Sequence, residues 1–316
     1  MVRKRSLLRK ALWGLLAFAV LAACTEAALR WGLGLGNPIL IAPDPACSYV
    51  TRPNQNVYRF FVHTYINRYG MRSAEVSPER PPGVVRVLFV GDSVTYGTTH
   101  VDQKNLFSQI VGRGLPSIVH EKVEVLNASV NGWAPDNEWE WVRTRGIFQS
   151  NYVLLVLNDG DLTQPLAKID QVGDSLPQTR PLTAINELFT RFIKPRILHI
   201  QPHQDPGDVA VPDAATERAN LQDLDHFDDS VRNQQGQMAI VFLPFRADLP
   251  HPADKALGVL QTWTATHHVP LIDLSTAIAA HSVPEICIYD HLHFNTAGNA
   301  VIAQAILNQW PNALRP

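Results

Sequence analysis

The chain has 316 residues, 46% of them hydrophobic and 18% charged, with a formal net charge of −2. This composition supports one well-cored globular domain with additional segments, and the near-neutral balance leaves no electrostatic footprint for nucleic acid. Three cysteines, Cys24, Cys47 and Cys287, exclude a disulfide framework, and no cysteine–histidine cluster has zinc-ligand spacing.

Residues 1–36 stand apart. Arg3, Lys4, Arg5, Arg9 and Lys10 precede an apolar run from Ala11 to Cys24 that Thr25 and Glu26 end. A basic start before an apolar run is an export signal or a membrane anchor, and positive charge on the N-terminal side keeps that end cytoplasmic. Membrane contact is expected through residues 11–31. Leu21-Ala22-Ala23-Cys24 also fits a bacterial lipoprotein processing box, but Thr25 to Trp31 continue as a helix where a flexible tether would follow a lipidated cysteine. An uncleaved signal anchor is the favoured reading.

Residues 37–80 read as a β-rich extension punctuated by Pro43, Pro45 and Pro53, with Tyr58 to Ile66 strand-like and Asn67-Arg68-Tyr69-Gly70 a turn. Residues 81–316 then alternate strand and helix. Strands are predicted at Val84–Val90, Val123–Ala128, Tyr152–Leu157, Met238–Leu243 and Val269–Asp273. Helices are predicted at Asn105–Gly112, from an N-cap at Asp136 to Phe148, at Leu182–Phe192 within a proline-rich insertion (160–213), at Ala214–Gln235, at Pro252–Thr266, and after His293 with Thr296 as N-cap. Strand–helix alternation predicts an α/β fold with a doubly wound, flavodoxin-like, parallel five-stranded sheet. The acids of the helix from Ala214, namely Asp223, Asp225, Asp228 and Asp229, read as a solvated face, and no metal or cofactor is expected.

The chemistry concentrates at strand ends. The first predicted strand stops at Gly91-Asp92-Ser93, which presents a serine where open α/β sheets bind ligands. Near the far end, Asp290-His291-Leu292-His293 supplies an acid and a base three residues apart. Nucleophile, orienting acid and base thus occur in the order Ser93, Asp290, His293, and such triads are defined by role and geometry. His291 reads as structural. The second strand runs to a loop with Gly132, and the third ends at Asn158-Asp159-Gly160; a backbone N–H and an asparagine amide are common oxyanion donors, although both segments also suit ordinary turns.

These four blocks resemble the SGNH hydrolases, also called the GDSL esterases and lipases. The matching residues are Gly91-Asp92-Ser93, Gly132, Asn158-Asp159, and Asp290 with His293, and the likeness spans residues 84–310. It implies Ser93 as nucleophile, His293 as base, Asp290 as its partner, and Ser93 N–H, Gly132 N–H and the Asn158 amide as the oxyanion hole. One departure is Val156, where the family carries glycine. Membrane-anchored relatives also tend to carry an acidic and a basic residue at the end of the anchor. Gly173-Asp174-Ser175-Leu176 spells the family's motif literally but follows no buried strand, and reads as an exposed loop. The expected function is hydrolysis of acyl esters, with O-acyl groups of cell-envelope polysaccharide a candidate substrate. Transfer of the same acyl group to a sugar hydroxyl, and a non-catalytic binding role, are the alternatives. The oligomeric state and any Cys47–Cys287 pairing are left open.

Overall fold

The computed structural model describes residues 2–169, 176–198, 213–245, 253–288 and 292–314. Five strands form a wholly parallel sheet: β5 (Val84–Gly91), β6 (Lys122–Ser129), β7 (Tyr152–Leu157), β8 (Gln237–Phe242) and β9 (Leu271–Asp273). Their spatial order is β6-β5-β7-β8-β9. The chain therefore winds one way from β5 to β6 and the other way from β7 onward, which places a topological switch point between β5 and β7. Ligands of open α/β sheets bind at that crevice, outside the strand carboxyl ends.

Successive side chains of a strand face opposite sides of the sheet, and the core divides accordingly. Leu88 and Val90 of β5 join one apolar cluster with Leu126, Leu155 and Ile240. Helices α4 (Pro135–Arg145), α5 (Ala214–Asn233) and α6 (Ala253–His267) supply Trp141, Phe227 and Leu260 to that face. Val85, Val87 and Phe89 join the other cluster, which α3 (Phe107–Gly114) and α7 (Thr296–Ala313) close with Phe107, Ile302 and Trp310. Cys47 lies in the first cluster and Cys287 in the second. Both thiols are buried on opposite faces of the sheet and neither is in a disulfide. Burial pushes the Cys47 thiol up to about 12, and such a thiol is inert at neutral pH.

Arg86 interrupts the apolar run of β5 yet is fully buried. It donates to the Glu124 carboxylate and to the carbonyls of Phe148, Pro78 and Glu79, so the buried charge is paired and hydrogen-bonded.

Before the sheet lie two antiparallel hairpins, β1 (Ile41–Asp44) with β2 (Ser48–Thr51) and β3 (Gln55–Arg59) with β4 (Val62–Ile66). Ile41, Tyr49 and Met71 enter the first core cluster. The stretch Tyr58–Ile66, expected as one strand, folds back at Phe60-Phe61, both with positive φ (50° and 65°). A two-residue hairpin turn requires that conformation and normally selects Asn or Gly. Here contacts offset the strain: Arg59 lies over the Phe60 ring, and Phe60 meets Phe192 edge-on.

Two predicted caps are corrected. The N-cap of α4 is Ala134, not Asp136, and the Asn137 side chain accepts from the Ala134 N–H. The N-cap of α7 is Asn295, not Thr296; its carboxamide oxygen accepts from the Gly298 N–H. Asp228 of α5 is buried and paired with Arg232 rather than solvated. Asp223 is half-buried, and burial together with the charge of Asp136 raises it to about 6. Helix α1 (Val2–Ala27) and the turn Ala28–Gly32 extend from this body.

Candidate active site

Strand β5 delivers Ser93. In register, Val90 pairs with Ala128 of β6 and Leu155 of β7, so Ser93, Gly132 and Asn158 all emerge just beyond the same edge of the sheet. Gly91 closes the strand, and a Cβ there would lie 2.2 Å from Thr95 Oγ1. The absence of a side chain thus lets the next turn fold directly over the strand end. Asp92 caps that turn, α2 (Ser93–Tyr96), by accepting from the Val94 N–H at 2.8 Å. The turn's far end is clamped from the N-terminal extension: Arg72, fully buried, donates to the carbonyls of Tyr96, Thr98 and Val101. Asn127 of β6 holds the Thr95 carbonyl at 2.8 Å. Ser93 is consequently only 2% exposed and fixed by groups from three segments.

His293 arrives from the other end of the chain. Its Nε2 lies 2.8 Å from Ser93 Oγ. The loop carrying it is set by short-range bonds: Cys287 bridges Phe294, the Ile288 N–H donates to the His293 carbonyl at 2.9 Å, and Asn295 Nδ2 donates to the Glu285 and Cys287 carbonyls. Gly298 opens α7 without a side chain, and a Cβ there would meet the Ile286 carbonyl at 2.2 Å. That close approach seats the loop against the helix. Asp290 and His291 lie outside the described residues, as does Ser175.

Gly132 has φ +79°, a left-handed conformation that favours glycine. Its carbonyl accepts from Gln164 Nε2 at 3.0 Å, and the neighbouring Asn131 carbonyl accepts from Tyr49 Oη, so the loop is pinned from both sides. Asn158 is more constrained than its sequence suggested. Its Nδ2 donates to Asp92 Oδ2 at 3.2 Å and to Asp161 Oδ1 at 3.0 Å, and its own N–H donates to Asp161 Oδ2 at 2.7 Å. The asparagine amide therefore faces two carboxyl groups.

Several site-forming groups carried no sequence signal. Asp161 and Glu138 are both 1% exposed. Burial, then the charge of Asp92, pushes the Asp161 carboxyl well above the usual carboxylate range, against the hydrogen bonds from Asn158. Burial, then the charges of Asp161 and Asp92, does the same to Glu138, whose carboxylate oxygens have no hydrogen-bond partner among the described residues. Asn220 of α5 donates to the carbonyls of Asp161, Leu162 and Gln164, tying down the segment that follows Asn158. Among the described residues, no group of three or more His, Cys, Asp or Glu is arranged to hold a metal ion.

A buried serine hydroxyl within hydrogen-bond distance of an imidazole, just beyond the strand ends at the sheet crevice, is the arrangement that activation of a serine nucleophile requires. No protein-family model and no curated protein sequence matches the chain. Among solved structures it is similar to a lipase/acylhydrolase from Enterococcus faecalis (18% identity, 73% of this chain and 98% of that one, TM-score 0.48). It is also similar to a member of the lipolytic protein G-D-S-L family from Veillonella parvula (14%, 72% and 98%, TM-score 0.44). A third similar structure is a catalytic mutant of the acetylxylan esterase Axe2 from Geobacillus stearothermophilus (12%, 71% and 93%, TM-score 0.46). By description these three similar structures are a lipase/acylhydrolase, a lipolytic G-D-S-L protein and an acetylxylan esterase.

Proposed function

We propose that the chain is an SGNH-type serine esterase tethered to a membrane by α1. The observation that supports this above all is the 2.8 Å contact between Ser93 Oγ and His293 Nε2, two residues 200 positions apart in sequence, at the switch point of the sheet. In this reading residues 1–36 tether the protein, 37–80 brace it, and 81–316 carry the chemistry with the insertion 160–213.

His293 Nε2 takes the hydroxyl proton as Ser93 Oγ bonds to the ester carbonyl carbon. The tetrahedral oxyanion is held by the backbone N–H groups of Ser93 and Gly132. The Asn158 amide joins them by exchanging its longer contact, that to Asp92, for the oxyanion. Collapse breaks the bond to the alcohol oxygen, which leaves with the proton from Nε2. Water then gives a proton to Nε2 and attacks the acyl-enzyme; the carboxylic acid departs and Ser93 recovers its hydrogen. Asp290, three residues before His293, orients the imidazole and stabilises its cation.

The tether rests on residues 6–32, a helical stretch whose most apolar 18-residue window has a mean hydropathy of 1.9 and is nowhere buried. At 1.5 Å per residue its 27 residues reach about 40 Å, enough to cross a hydrocarbon core of about 30 Å. The basic residues around its start support a catalytic part outside the cytoplasm. There, O-acyl groups of envelope polysaccharide are the substrate class that fits. The test is hydrolysis of short-chain aryl esters by wild type, Ser93→Ala and Ser175→Ala. Loss in Ser93→Ala alone supports the assignment, and equal loss in both variants overturns it.

A further inference from the structure

Within the insertion, residues 184–197 form one continuous helical segment: Ala184–Glu187, a wider-pitched stretch Leu188–Ile193, and Lys194–Ile197. Ile185, Phe189, Ile193 and Ile197 recur every four residues along it, and all four are exposed, Phe189 to 52% and Ile197 to 65%. Spacing by four drifts around an ordinary helix of 3.6 residues per turn. The wider stretch opposes that drift and keeps the four on one side. Leu182, just before the segment, is 93% exposed, and Leu198, just after it, is also exposed.

The opposite face is locked. Ala184 and Glu187 are buried, and Glu187 accepts from the Arg59 guanidinium and from the Gly36 N–H. Burial alone would raise the Glu187 carboxyl, but those hydrogen bonds and the charges of Arg59 and Arg191 hold it below the usual range. Phe192 packs edge-on against Phe60. The segment therefore cannot roll to hide its apolar side. An outward stripe of this kind marks an interaction site.

Its position identifies the partner. The Glu26 carboxylate, near the end of α1, accepts from the N–H groups of Ala184 and Ile185 at 2.8 and 3.0 Å. Glu26 also pairs with Arg30. The insertion helix thus starts against the last turns of the apolar helix, beside Trp31, which is 78% exposed. From Leu188 to Leu198 the sequence carries Arg191, Lys194 and Arg196 and no acid. An apolar stripe flanked by bases is the pattern of a helix lying in a bilayer interface, and bases near the surface favour anionic lipid.

We propose that segment 184–197 is an interfacial helix that seats its Ile185–Phe189–Ile193–Ile197 stripe in the lipid surface from which α1 emerges, with anionic headgroups meeting its basic residues. This rests on the reading of α1 as a membrane anchor. It makes the membrane contact two-point, so the catalytic body is held at a fixed height and orientation rather than swinging on one helix.

The full-length chain, with Cys24→Ser, is labelled with an environment-sensitive fluorophore at Phe18→Cys, Ile193→Cys, Ile197→Cys or Gln304→Cys. It is then reconstituted in phosphatidylcholine–phosphatidylglycerol vesicles with acyl chains brominated at shallow or deep positions. The expected result is deep quenching at residue 18, a blue shift with shallow quenching at 193 and 197, and neither at 304. Lys194→Glu with Arg196→Glu should reduce the quenching at 193. Deep quenching at 18 with water-like emission at 193 and 197 overturns the proposal and leaves the anchor standing. Absence of quenching at all four positions overturns the anchor and the proposal together. A blue shift at 193 that depends on protein concentration and ignores bromolipid identifies a second copy of the chain as the partner, and also overturns it.

Discussion

Ser93 and His293 meet across the sheet crevice but are held in different ways. Ser93 belongs to the sheet: β5 is buried along its whole length, Asp92 caps the turn, and Arg72 and Asn127 clamp the turn's carbonyls. His293 belongs to a loop secured by nearby residues, through the Cys287–Phe294 bridge, the two bonds from Asn295 Nδ2, and the bare backbone of Gly298. The serine is therefore fixed by long-range packing and the histidine by local hydrogen bonding. Substitutions around the histidine should change turnover before they change folding, while those around the serine should do both.

The largest expected effect is on the base itself. His293→Ala should lose nearly all turnover, and His291→Ala should keep most of it. Asp290→Ala should lose less than His293→Ala, since triad members contribute unequally and not additively. In wild type, kcat/KM should rise with pH along a single ionisation as the imidazole loses its proton. An inactive His291→Ala beside an active His293→Ala would move the base by two residues.

Next comes the oxyanion hole. Removing one donor commonly costs ~10²–10³ in kcat. Asn158→Ala should fall at or somewhat below the lower end of that range, because the amide must first release Asp92. Unchanged kcat would show that Asn158 only braces Asp92 and Asp161.

Asn295→Ala tests the local scaffold of the histidine. Loss of a helix cap costs about 1 kcal/mol, and small misplacement of a reacting group slows turnover sharply. The expected outcome is a modest drop in melting temperature with a larger fall in kcat than rise in KM. A variant with lower stability and unaltered kcat would show that the loop is fixed by other contacts.

The smallest effect concerns the buried acids coupled to Asp92. Glu138 and Asp161 have carboxyls raised in the folded state. The fold therefore binds protons that the unfolded chain releases above about pH 4. Their protonated forms favour folding at low pH, and stability is lost as pH rises through the folded values. Glu138→Gln removes that loss. Thermal unfolding of the full-length chain in detergent should show the variant's advantage larger at about pH 8 than at about pH 5; the reverse order would contradict the raised state of the cluster.

Features encoded in consecutive residues were legible in the sequence. The β-branched and apolar runs of all five sheet strands stand where the pattern places them, and Ser93 and His293 meet as expected. Features created by tertiary contact were not. The Phe60-Phe61 turn lacks a turn sequence and is held by Arg59 and Phe192 packing on the Phe60 ring. Asp228 reads as a solvated charge, since nothing local reveals that the helix carrying it is packed against its neighbours. Asn220 and Asn137 look like ordinary helix residues, yet each holds distant carbonyls. The Asn295 cap was misplaced by one residue because Asn and Thr adjoin and both are good caps.

Reaction with a fluorophosphonate probe, followed by intact-mass measurement and peptide mapping of the full-length chain, tests the central claim most directly. The pairing of Ser93 with His293 predicts a single covalent adduct on Ser93, absent in Ser93→Ala and formed far more slowly in His293→Ala. An adduct on Ser175, or a folded wild-type chain that takes no adduct, would contradict the assignment of Ser93 as an activated nucleophile.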